Sequence, residues 1–354
     1  MRIVVKNIKE KSINSNYRLI DLLKFICAFL VIGIHTRPFQ AINDVLDNLF
    51  YYDISNYAVP FFYACTGYFL IIKQPTEDLH TKLIFRFKKT LKIYLIWSAI
   101  YLPLTVAGWI IEGKRSPVYL LRCLRNYVFV GENFYSWTLW YLNGLIFALI
   151  LICVLLRKFS IKIIFDIGVL AYLIGIVLTM LNNHLESLPL FLAKPIHLYF
   201  SLFATTRNGL FQSLVFVTVG MLIALKNSTD GLKPSIKSGL FVGFIYVVKV
   251  GLSLFEGGQN ISKILDLPTF WFLFELIIYA CGKVNFKGSF YKQLRGISET
   301  IYFIHMYFVA FCSLVLYKGN YHNFVAYFIC AGGATIIALL YQIQKNKKEV
   351  IKNV

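Results

Sequence analysis

The sequence predicts an all-α integral membrane fold: a polytopic bundle of about ten transmembrane helices with both termini cytoplasmic. Three observations carry this. Of 354 residues, 58% are apolar and 17% aromatic, well beyond what a soluble domain carries. Ten stretches approach the roughly 20 apolar residues that a bilayer crossing requires. Lysine and arginine also gather in alternate connections, as cytoplasmic loops do.

The ten stretches run near 19–36, 54–72, 91–111, 136–156, 161–181, 207–225, 239–255, 266–282, 298–317 and 322–343. The polar connections are too short for a separate soluble domain. The expected organisation is a cytoplasmic N-terminal segment 1–18, a transmembrane domain 19–343 and a basic cytoplasmic tail 344–354. Residues 188–206 stay open between an interfacial helix and a membrane-inserted one, because Lys194, Pro195 and His197 interrupt them.

A net charge of +19 invites a nucleic-acid reading, but topology accounts for it. With the N-terminus inside, the inner connections and tails hold 24 Lys and Arg and the outer ones 9. An even number of crossings follows, in the cell membrane, with no nucleic-acid partner expected. Of the seven cysteines, only Cys123 lies in an outer connection, so neither a disulfide framework nor a metal site is expected. The first 18 residues are too polar and too long to head a cleaved signal. No internal repeat, phosphate-binding glycine loop or paired Cys/His motif is present in the sequence.

Ionisable residues inside membrane helices cost several kcal/mol each on insertion scales, about 2.5–3.5 for Asp, Lys or Arg, so each needs a partner or a task. The first stretch is densest in them. Arg18, Asp21 and Lys24 follow one another at i, i+3 and i+6, where opposite charges pair along a helix or snorkel as an anchor. Lys24 and His35 are eleven residues apart, about three turns plus 20°, which places both on one face about 16 Å apart. Taken alone, His35 reads equally as an interfacial histidine satisfied by water or a carbonyl.

These residues resemble the acyltransferase 3 superfamily of bacterial membrane O-acyltransferases, whose hallmark is Arg or Lys, ten residues, then His. Lys24 to His35 fits it, and Arg18 and Asp21 extend the similarity. Val59-Pro60 through Thr66-Gly67-Tyr68-Phe69-Leu70 resembles the second-helix signature, with Thr66 in place of the usual Ser. The run Arg86-Phe-Lys88-Lys89-Thr-Leu-Lys92-Ile-Tyr94 is similar to the charged entry to helix three, without the usual following proline. Trp137-Thr-Leu-Trp140-Tyr141-Leu142 and Ser298 to His305, with Tyr302 between, resemble the fourth- and ninth-helix patterns. Some members carry an esterase-like domain outside the membrane and one branch a racemase domain; neither is expected here.

The resemblance implies ten helices and O-acyl transfer, expected as acetyl, from cytoplasmic acyl-CoA to a hydroxyl of an envelope carbohydrate, lipid-linked acceptors included. Acyl-CoA is a co-substrate, with no permanently bound cofactor. Such a transfer needs a base for the hydroxyl and cations for the donor's phosphates. His35, with an ordinary pKa near 6.5, is the expected base or acyl carrier, and Lys24 its catalytic partner. Arg18, Asp21, Tyr302 and His305 form the expected supporting polar network. His305 reads equally as a satisfied core histidine.

Arg86, Lys88, Lys89 and Lys92 are the donor-binding candidates, although positive-inside topology explains them too. Trp140, Tyr141, Arg122 and Arg125 are the acceptor-side candidates. The last two lie in the outer connection 112–135 with Lys114 and Arg115, read as a short amphipathic interfacial helix that meets lipid headgroups or an anionic acceptor. Lys249 and Glu275, at similar expected depths, are expected to pair. The rival reading is a transporter or exporter of a glycan precursor or small solute, since buried Lys, Glu and His also mark carriers. A third is a membrane scaffold without the reaction.

Overall fold

A computed structural model describes residues 17–73, 77–113, 116–229, 231–255, 261–284, 286, 288 and 290–352. The segment 1–16, Lys114, Arg115 and the last two residues of the expected tail lie outside the described residues. The described chain is helical, with no strand. Its α-helices are α1 (Arg18–Thr36), α2 (Asp44–Asn48), α3 (Ala58–Ile72), α4 (Leu79–Ile111), α5 (Pro117–Arg125), α6 (Leu139–Leu155), α7 (Ile161–Asn183), α8 (Leu190–Phe203), α9 (Leu214–Thr229), α10 (Ile236–Phe255), α11 (Asp266–Cys281), α12 (Phe290–Phe311) and α13 (Phe324–Lys352).

Helix occupies each of the ten apolar stretches. Among the described residues, eight helices are long and apolar enough to cross a membrane; α3 and α6, at 15 and 17 residues, are shorter. The open segment 188–206 contains α8, a 14-residue helix with Pro195 inside it. The connection 112–135, expected on the outer side, contains α5, continued by one π-helical turn over Asn126–Val130. Helix starts follow local polar chemistry. The Asp78 carboxylate accepts from the backbone N–H of His80 and Thr81, Ser160 caps α7, and Ser116 caps α5 with Pro117 at its first position.

The chain divides into two compact units. The first contains 60–249 and 259–275. Within it, α3 meets α9 so closely that a Cβ on Gly67 would overlap the Val217 carbonyl, and one on Gly220 the Ala64 carbonyl. Small residues permit such backbone contact between membrane helices. The glycine of the Thr66-Gly67-Tyr68 signature is therefore a packing residue.

Lys249 and Glu275, both buried in this unit, are paired, but not with each other as expected. Lys249 meets Asp266 at 3.1 Å, with both side chains under 5% exposed, and Glu275 takes Lys226 at 2.7 Å. The expected Lys249–Glu275 pair is thus corrected. The cause is local: residues Ser262–Leu265 form a 3-10 turn that runs into α11. Asp266 therefore lies a turn inside the helical run. Glu275 sits nine residues further along, about 13 Å at helical rise.

The second unit contains 15–59, 250–258 and 276–354. Its core packs α1 against α12 and α13. At the end of α1, Arg37 takes a left-handed conformation at φ 42°, and its Nε donates to Asp47 Oδ2 at 2.7 Å. That bond folds 37–57 back over the helix end, where Phe50 covers Gly33 and packs edge-on to Phe39.

Removing one partner of a buried pair strands the other charge, at a cost on the order of 3–5 kcal/mol. Asp266→Asn is therefore expected to lower the thermal midpoint of the detergent-solubilised protein markedly, and Lys249→Met with Asp266→Leu to recover most of the loss. A midpoint unmoved by Asp266→Asn would contradict the pairing.

Candidate functional site

The second unit joins α1 to α12 at two levels. At the first, the Asp21 carboxylate, 4% exposed, accepts both arms of the Arg295 guanidinium, Nε to Oδ1 and Nη2 to Oδ2, each at 2.9 Å. The planar guanidinium matches a carboxylate in this two-point fashion. Arg18 donates to the Phe286 carbonyl. Asp21, read from the sequence either as pairing along its own helix or as part of a snorkelling anchor, thus takes a two-point fork from α12. Arg295 was not among the expected site residues. It reads as one more positive-inside cation just ahead of the stretch 298–317, and only the extension of α12 back to Phe290 places it on the same helix as His305.

At the second level, the rings of His35 and His305 lie 5.5 Å apart and tilted by 39°. His305 is fully buried, while His35 is half-buried. The Nδ1 of His305 lies 3.1 Å from the Ile301 carbonyl oxygen. A carbonyl only accepts, so Nδ1 carries the proton and Nε2 keeps a lone pair. That Nε2 is buried and has no hydrogen-bond partner among the described residues. Tyr302 is buried beside it, ring centroids 6.4 Å apart. Ser298 donates to the Arg295 carbonyl at 3.0 Å.

Asp21 precedes His35 on α1 as Arg295 precedes His305 on α12, so these two helices run parallel. Lys24 lies between the levels and is half-buried. One helix pair thus presents a bidentate ion pair, a lysine and two imidazoles. One imidazole has a fixed tautomer and an acceptor nitrogen kept from water. Such an arrangement can take a proton from a hydroxyl and return it.

The remaining candidates belong to the first unit. Arg86 donates to Thr66 Oγ1 at 3.3 Å, and Thr66 donates to the Phe62 carbonyl. The second-helix signature and the basic run therefore meet through its polar residue, while Lys88, Lys89 and Lys92 are exposed. Tyr141 is buried against Tyr63, ring centroids 4.9 Å apart, and its carbonyl accepts from Tyr63 Oη at 3.1 Å. Trp140 carries the Arg207 guanidinium at 5.3 Å from its ring centroid. Arg122 is exposed on α5. Arg125 donates to the Ser201 and Leu202 carbonyls at the end of α8, which makes it a helix-end cap.

The family model for the acyltransferase domain matches residues 17–342. An amino-acid racemase of Enterococcus faecalis is 29% identical over 346 residues, covering 94% of this chain and 47% of that protein. A serine/alanine racemase of Enterococcus gallinarum is 28% identical over 300 residues, covering 82% of this chain and 40% of that protein. The chain therefore spans about half the length of the curated relatives it matches. No solved structure matches it.

Arg295→Met leaves the buried Asp21 carboxylate without its fork. Because Arg295 itself is half-exposed, the expected cost is about 1–3 kcal/mol, below that of a fully buried pair. It is read as a lowered thermal midpoint in detergent, largely recovered when Asp21→Asn is added. Equal midpoints for Arg295→Met and the unaltered protein would contradict this role.

Proposed function

Since the chain belongs to the acyltransferase family whose domain model spans residues 17–342, we propose that it moves an acyl group, acetyl first among candidates, from acyl-CoA to a carbohydrate hydroxyl. The observation that carries this reading is the His35–His305 pair on parallel helices. Two imidazoles inside a membrane helix pair are costly to keep without a task, and histidine is the commonest general base.

In the proposed step, His35 takes the acceptor's hydroxyl proton as the oxygen forms a bond to the thioester carbonyl carbon. The carbon–sulfur bond then breaks, and the CoA thiolate leaves with the proton that His35 returns. The Nε2 lone pair of His305 accepts a hydrogen bond and orients the proton-carrying group before it. Lys24 supplies positive charge to the anionic donor or to the oxyanion that develops. Asp21 and Arg295 hold α1 and α12 in register, acting through His35 and His305 and not on the substrate.

A second reading is favoured by the relatives. They are named for racemising amino acids, and this chain matches about half of each. A membrane unit that accompanies amino-acid chemistry suits a carrier for a small polar solute, with the buried histidines and ion pairs serving translocation. Vesicles separate the two readings: a carrier accumulates labelled solute without consuming acetyl-CoA, whereas a transferase releases thiol.

With acetyl-CoA and envelope glycan supplied to the protein in detergent or vesicles, thiol release is the readout. His35→Ala is expected to reduce it by about 10²-fold or more, the scale of a lost general base, and His305→Ala by a smaller factor. Thiol release that persists unchanged in His35→Ala would overturn the transfer reading.

A further inference from the structure

A second polar cluster, separate from the imidazole pair, stands at one end of the first unit. Helices α4, α6, α7 and α9 run alternately up and down. Segments 116–138 and 184–208 therefore share an end, remote from the Lys- and Arg-rich stretches at 77–90 and 157–162. There Arg207 lies over the face of Trp140, 5.3 Å from Cζ to ring centroid. Arg207 is exposed, and its guanidinium makes no hydrogen bond or ion pair among the described residues. Its planar donors are held on an aromatic surface and are open to a ligand.

Glu132 stands in the same field. Burial pushes its carboxyl up from the ordinary carboxylate range, and the Arg207 charge pulls it back. The loop that carries it is firmly built. Gly131 has φ 80°, and a Cβ there would come within 2.8 Å of the Trp140 Cα. Asn143 Nδ2 donates to the Tyr127 and Val128 carbonyls, and the Asn133 N–H to Ser136 Oγ at 2.8 Å. A loop clamped this way presents its charged side chains in a set geometry.

We propose that Trp140, Arg207 and Glu132 form a subsite for a hydroxyl-bearing anion: Arg207 receives the anionic oxygens, Glu132 accepts a hydroxyl, and the indole offers a flat apolar floor. This rests on the acyl-transfer reading and deepens its acceptor side. The expected ligand chemistry comes from two sources, a carboxylate sugar or a phosphoglycerol headgroup. Arg125 does not fill this role, because its Nη1 is engaged with the carbonyls at the end of α8 and ties the side chain down there.

The test is equilibrium binding to the full chain in detergent without acyl-CoA, so that its outcome is independent of catalysis. The probes are glucuronate, glycerol 3-phosphate, glucose and acetate. Saturable binding of glucuronate or glycerol 3-phosphate, at least tenfold tighter than glucose, is expected, and the preferred anion identifies the source. Arg207→Gln is expected to weaken it at least tenfold, with Arg207→Lys intermediate. Glu132→Gln is expected to lower the preference for glucuronate over acetate. Binding needs no acyl transfer, so saturable anion binding by a protein that releases no thiol from acetyl-CoA separates the two proposals. Glucose binding as tightly as both anions, no binding of either anion, or Arg207→Gln binding like the unaltered protein would each overturn the subsite.

Discussion

A charge inside hydrocarbon must find its partner within the protein, and that constraint organises this protein. Ion pairs at Asp21–Arg295, Lys226–Glu275 and Lys249–Asp266 each tie one helix to another, the first across nearly the whole chain and the last between consecutive helices. Their net worth against apolar replacements is small or even negative, because desolvation offsets attraction. Their value is positional, since each fixes which turn of one helix lies beside which turn of another. In the second unit the Asp21 fork sets α1 beside α12, and the same register brings His35 to His305.

That register gives the first-helix motif a physical meaning. The one-face spacing of Lys24 and His35 is a property of α1 alone, whereas the partner that makes His35 chemically interesting comes from α12. His305 is fully buried, has its tautomer fixed by the Ile301 carbonyl and keeps Nε2 without a hydrogen-bond partner among the described residues. A buried acceptor left open in this way is expensive, and the proposed transfer gives it a use.

The helical architecture was largely legible in the sequence, because long apolar runs and the alternation of Lys and Arg are local signals. Helix one was legible for the same reason: its Arg, Asp, Lys and His lie within eighteen residues. Pairing across elements was not. Lys249 was assigned to Glu275 on depth alone, since nothing local shows that Ser262–Leu265 extends α11 and carries Asp266 inward. Arg295 was hidden among positive-inside cations. Arg207 was likewise counted only as an outer charge, until the fold placed it on Trp140. The signature glycine, Gly67, turned out to serve contact between α3 and α9, which no one-dimensional pattern distinguishes from a catalytic turn.

The central claim is that His35 and His305 face each other on parallel helices. Cysteine cross-linking tests it most directly. In a background with the seven native cysteines replaced, His35→Cys and His305→Cys together should be joined in high yield by a short bifunctional thiol reagent in native membranes. His35→Cys paired with a cysteine at Arg295 should not be joined. Cross-linking confined to the second combination, or absent from the first, would contradict the register on which the proposed chemistry stands.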